Sequence, residues 1–74
     1  MDETLSLGDR GDAVLSLQRL LFNQGFTYVA ESGVYDTSTR RGVDQFQRDR
    51  GLNGDPYGVY GPATHTALTG GSRP

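Results

Sequence analysis

The chain has 74 residues, a net charge of −2, 34% hydrophobic and 22% charged residues, 11 glycines and no cysteine. A chain of this length buries only about 60% of its unfolded surface, which limits it to one domain with a small core and no elaborate buried active site. Near-balanced charge argues against a nucleic-acid partner held by phosphate neutralisation. The lack of cysteine removes disulfides and thiol chemistry, one histidine is too few for a conventional zinc site, and no apolar run nears the ~20 residues of a membrane span. No cofactor is expected.

The acidic start Met-Asp-Glu-Thr does not look like an export signal. The first predicted helix runs from about Asp12 to Gln24, where Val14, Leu17 and Leu21 recur at helical spacing. Gly25 supplies its left-handed stop. Phe26 to Tyr35 follows, with a short β-prone stretch at Phe-Thr-Tyr-Val.

The second helix is expected from about Thr37 to Arg50, with Asp36 as the N-cap and Gly51 after the last turn. Gly42 inside it lowers helix propensity and predicts the close approach of another helix. Leu52 to Tyr60 reads as a loop. Pro62 then opens a short third helix ending near Thr69, proline being favoured at the first helical position. Residues 71–74 read as linker or frayed tail, leaving 1–70 as the domain. The fold class is all-α: three helices, with two glycine-rich loops leading into the second and third. The expected core is Val14, Leu17, Leu21, Val34, Val43, Phe46, Leu52, Val59 and Leu68.

An internal repeat marks those loops. Gly33-Val34-Tyr35-Asp36-Thr37-Ser38-Thr39 is followed 25 residues later by Gly58-Val59-Tyr60-Gly61-Pro62-Ala63-Thr64, with four of seven positions identical. Each copy combines a glycine turn, an apolar–aromatic pair, a cap position and a threonine in the first helical turn, and so serves to start a helix. Gln18 and Gln47 follow Leu17 and Phe46 at matching places in two helices and are expected to satisfy loop backbone groups.

The ordered set of motifs resembles the peptidoglycan-binding domain 1 family. It begins with Leu5-Ser-Leu-Gly8-Asp9-Arg10-Gly11-Asp12-Ala-Val14 and Leu17-Gln18-Arg19-Leu20-Leu21. It continues through Gly25-Phe26, Gly33-Val34-Tyr35-Asp36, Thr39, Val43, Phe46-Gln47 and Gly51-Leu52. Asp55, Gly58-Val59-Tyr60-Gly61-Pro62-Ala63-Thr64 and Leu68 complete it. Gly42, where that family more often has alanine, and a longer Asn53–Tyr57 turn are the departures. The resemblance implies a three-helix, non-catalytic module that attaches a cell-wall hydrolase, such as an amidase, muramidase, peptidase or phage endolysin, to bacterial peptidoglycan. It also implies an extracellular or cell-wall location, and a monomer is expected.

The residues themselves favour binding over catalysis. Asp9 with Asp12 and Asp44 with Asp49 lie beside arginines and read as solvated faces, and no nucleophile–histidine–acid set can be assembled around His65. Peptidoglycan offers sugar faces and stem-peptide carboxylates, which call for aromatic rings, arginines and helix N-terminal amides. The repeat brings two helix starts together, so the expected ligand site is lined by Tyr35, Asp36, Arg40, Tyr60 and His65. The alternative is that Tyr35 and Tyr60 belong to the core and only Tyr28 and Tyr57 are exposed. The competing function is a protein-interaction or pro-region module with the same fold and no wall affinity.

Overall fold

The computed structural model describes residues 4–70, so the expected tail at 71–74 lies outside the described residues. Three helices form in the order α1 (Asp12–Asn23), α2 (Thr37–Arg50) and α3 (Pro62–Thr69). Apolar residues at helical spacing turn one face of α1 inward, burying Val14, Leu17 and Leu21. Its C-terminus closes with Gly25 N–H donating to the Phe22 carbonyl at 3.0 Å and Phe26 N–H to the Leu21 carbonyl at 3.1 Å. α2 ends the same way, with Gly51 N–H on Arg48 O at 3.2 Å and Leu52 N–H on Gln47 O at 2.9 Å. At each end two backbone bonds remove carbonyls that would otherwise lack partners.

The β-prone stretch after α1 makes turns instead of a strand, closed by Val29 N–H on Phe26 O at 3.1 Å. Among the described residues no strand lies beside it to pair with, and Val29 turns into the core. There it meets Gly42: a Cβ at that position would lie 2.8 Å from Val29 Cγ2 and 3.4 Å from Leu21 Cδ1. The close approach expected at Gly42 is therefore real, but its tightest partner is the α1–α2 loop, with α1 second.

The segment before α1 crosses both repeat loops. Leu5 and Tyr60 exchange backbone hydrogen bonds, each 2.8 Å long. Gly8 N–H donates to Tyr35 O at 2.9 Å, Tyr35 N–H to Asp9 O at 2.8 Å and Gly11 N–H to Gly33 O at 2.9 Å. Single antiparallel bridges at Leu5–Tyr60 and Arg10–Val34 result, too short to count as strands. This strap holds the two loops side by side.

The core comprises Val14, Leu17, Leu21, Val29, Tyr35, Val43, Phe46, Tyr60 and Leu68. Six of these match the expected set. Val34 and Val59 are only partly buried, and Leu52 packs partly buried against the cluster. The reason is the extended backbone at the repeat: neighbouring side chains point to opposite sides, so when Tyr35 and Tyr60 enter the core the preceding valines turn away.

Candidate functional site

The two repeat loops are built on one plan. Gln18, fully buried on α1, accepts from Gly33 N–H at 2.8 Å through Oε1. Its Nε2 donates to Val34 O at 2.8 Å and Thr39 Oγ1 at 2.9 Å. Gln47, equally buried on α2, accepts from Gly58 N–H at 2.8 Å and donates to Val59 O and Thr64 Oγ1, both at 2.9 Å. Each glutamine thus serves a glycine amide, a valine carbonyl and a threonine hydroxyl of the helix that follows. Gly33 and Gly58 turn their amides toward these oxygens at φ of +79° and +82°, where a side chain would be strained. Among the described residues no buried side-chain polar atom lacks a partner. The structural role expected for both glutamines holds.

The caps differ in origin. Asp36 Oδ1 accepts from Thr39 N–H and Thr39 Oγ1, both at 3.0 Å, and from Ser38 Oγ at 2.9 Å. The equivalent position before α3 is Gly61, which has no side chain. Asp55 fills the gap from the preceding loop: its Oδ2 accepts from Thr64 N–H and Thr64 Oγ1, both at 2.7 Å, and from Gly61 N–H at 3.2 Å. The Thr39 amide, with further help from the Ser38 and Thr39 hydroxyls, holds the Asp36 carboxyl below the usual carboxylate range. Burial works to raise Asp55, but the hydrogen bonds from Thr64, Ala63 and Gly61 bring it below its ordinary value.

These contacts narrow one expectation. The Thr39 amide at the start of α2 and the Thr64 amide at the start of α3 are not open to a ligand carboxylate, because Asp36 and Asp55 already accept from them. Beside these capped amides Arg40 stands exposed on the first turn of α2.

The five expected site residues divide into two groups. Tyr35 and Tyr60 are core, 1% and 5% exposed, so neither presents an open ring face; Tyr28 and Tyr57 are the exposed tyrosines. The Tyr35 hydroxyl donates to Gly58 O at 2.7 Å, tying the first loop to the second, and burial pushes its ionisation well above the ordinary phenol value. Tyr60 Oη lies 2.6 Å from His65 Nδ1, and the two rings meet edge to face. Asp36 is half-buried in its cap. Arg40 and His65 are exposed on the first turns of α2 and α3. Arg40 reaches the second loop, with Cγ only 3.1 Å from where a Gly58 Cβ would stand. The Arg40 guanidinium therefore stands beside the paired loops, over a hydrogen-bonded base.

Sequence reasoning missed two features here. Asp55 as the second cap was signalled by the glycine standing where the first copy has aspartate. The stacking of Arg48 over Tyr57, with Cζ 4.2 Å from the ring centroid, joins residues nine apart across a loop and leaves no periodic trace. Among the described residues no group of three or more His, Cys, Asp or Glu could hold a metal ion. No described helix is long and apolar enough to cross a membrane.

Residues 10–68 match the family described as "Putative peptidoglycan binding domain". The crystal structure of Burkholderia AP3 phage endolysin is similar, with a TM-score of 0.84 and 40% identity over 97% of this chain. The match spans 27% of the endolysin chain. Comparison with curated proteins finds no match.

Proposed function

The chain belongs to the peptidoglycan-binding domain family, and we propose that it is a non-catalytic module that holds a cell-wall hydrolase on bacterial peptidoglycan. The observation that carries this reading is the family match through both repeat loops, residues 10–68. Similarity to about a quarter of an endolysin supports a wall-attachment role beside a catalytic domain, acting outside the cell or in the wall.

The ligand face lies beside the paired loops. Arg40 takes a stem-peptide carboxylate through a charge-assisted hydrogen bond. His65 borders the same face and adds a second polar contact. Asp36, Tyr35 and Tyr60 act beneath it: they fix the two helix starts that carry Arg40 and His65. A shallow site of this kind binds each ligand copy weakly, and retention on a wall comes from the many copies a wall offers.

Sedimentation with purified, washed peptidoglycan tests the reading. The chain should pellet, and Arg40→Ala should pellet less while melting within about 2 °C of wild type, since exposed charges contribute little to stability. A chain that stays in the supernatant as an albumin control does would instead support a fold-only, protein-interaction module.

A further inference from the structure

The face carrying Arg40 continues along α2. Arg40, Asp44 and Arg48 are spaced four residues apart, so they line one side of the helix over about 12 Å. The Tyr57–Gly58 segment runs beside this stripe, with Gly58 against the Arg40 side chain and Tyr57 beneath the Arg48 guanidinium. Arg48 is itself held, donating from Nε to Asp44 Oδ1 at 2.7 Å. Stacked on one side by a positioned guanidinium, Tyr57 still has 50% of its surface exposed. Among the described residues no other aromatic ring stacks on it.

We infer that Tyr57 and Arg48 form a glycan subsite, in which a sugar ring of the peptidoglycan strand stacks on the open side of Tyr57. This rests on the wall-binding reading above and adds the part of the ligand that Arg40 does not reach. An amphipathic ring with few torsions gives contact area at little entropic cost. The C–H face of a pyranose suits the electron-rich ring, while Arg48, stacked on the opposite face, holds that ring in place. Wall sugars and stem peptides are covalently joined, so one ligand can place a sugar on Tyr57 and a peptide carboxylate on Arg40. The two contacts then reinforce each other by effective concentration.

Two probes separate this from the parent reading: whole washed peptidoglycan, and glycan strands freed of peptide by an amidase. Wild type should bind both, the strands more weakly. Tyr57→Ala should lose about tenfold in affinity for the strands, Tyr57→Phe should keep it, and Tyr28→Ala, removing another exposed tyrosine, should not change it. Arg40→Ala should weaken whole-wall binding and leave the strands unaffected. If wild type binds whole peptidoglycan and Tyr57→Ala binds the strands as well as wild type does, the subsite is wrong and the module reading stands. Equal losses for Tyr57→Ala and Tyr28→Ala also overturn it, as nonspecific adhesion. If wild type binds neither probe, both proposals fail.

Discussion

Asp55 gives α3 the carboxylate that Asp36 gives α2, but from six residues before the cap position instead of at it. The backbone shows why the substitution works. Asp36 sits at φ −100°, ψ −172° and Gly61 at φ −113°, ψ −167°, so both cap residues hold nearly the same extended conformation. In each copy one carboxylate oxygen accepts from the amide and hydroxyl of the threonine in the first turn, and a buried glutamine donates to that same hydroxyl. The second copy has kept the bonding pattern while moving the acid to another place in the chain.

This relationship predicts a rescue. Asp55→Ala should lower stability by about 1–2 kcal/mol, the range for losing a helix cap. Gly61→Asp in that background should recover most of it, because the backbone at 61 already suits a cap aspartate. Gly61→Asp alone should destabilise, since a Cβ there would collide with the Asp55 carboxylate. Thermal melts of the three variants check the order.

The two buried glutamines should differ in importance. Gln47→Leu strands the Gly58 amide and the Val59 carbonyl, at about 1–3 kcal/mol for each buried group left without a partner. That is a large part of the roughly 4–11 kcal/mol expected for a domain of this length. Gln18→Leu should be milder, because the Ser32 hydroxyl also donates to Val34 O at 3.4 Å and stays to serve that carbonyl. Denaturant midpoints that rank Gln18→Leu as the more damaging would contradict this.

Tyr35→Phe removes the hydroxyl that joins the two loops while keeping the ring in the core. A loss of about 1 kcal/mol, or roughly 4–8 °C in melting temperature, is expected. An unchanged melt would mean that the strap from Leu5 to Gly11 alone keeps the loops together.

Acid should weaken the fold through the caps. Asp36 and Asp55 both titrate below the ordinary aspartate value in the folded state. Their stabilising contribution is therefore fully present above the unfolded value near 3.9 and is lost as pH falls through the lower folded values. Melting temperature should drop below about pH 4, and Asp55→Ala should show a shallower drop. Parallel curves for the two proteins would rule out Asp55 as a contributor.

Much of this was legible in the sequence because it rests on local rules. Helical spacing, Asp36 before α2 and Pro62 at the start of α3 fixed the elements to within a residue or so. The repeat announced two equivalent loops and the paired glutamines their support. What local pattern could not give was direction. Whether Val34 or Tyr35 enters the core depends on the strap from Leu5 to Gly11, a long-range pairing without periodicity. The β-prone Phe26–Val29 stretch makes turns because, among the described residues, no strand lies beside it. The Thr64 amide at the start of α3 is taken by Asp55, whose partner is set by a loop path and not by spacing.

Binding of peptidoglycan on the face where the two repeat loops meet should be visible residue by residue. Backbone amide shifts followed by NMR, during titration with a soluble muropeptide that carries both sugar and stem peptide, test it most directly. Changes should cluster at Arg40, Arg48, Tyr57, Gly58 and His65. Changes confined to residues away from the paired loops, such as the exposed Phe22 and Tyr28, or none at saturating ligand, would rule this face out.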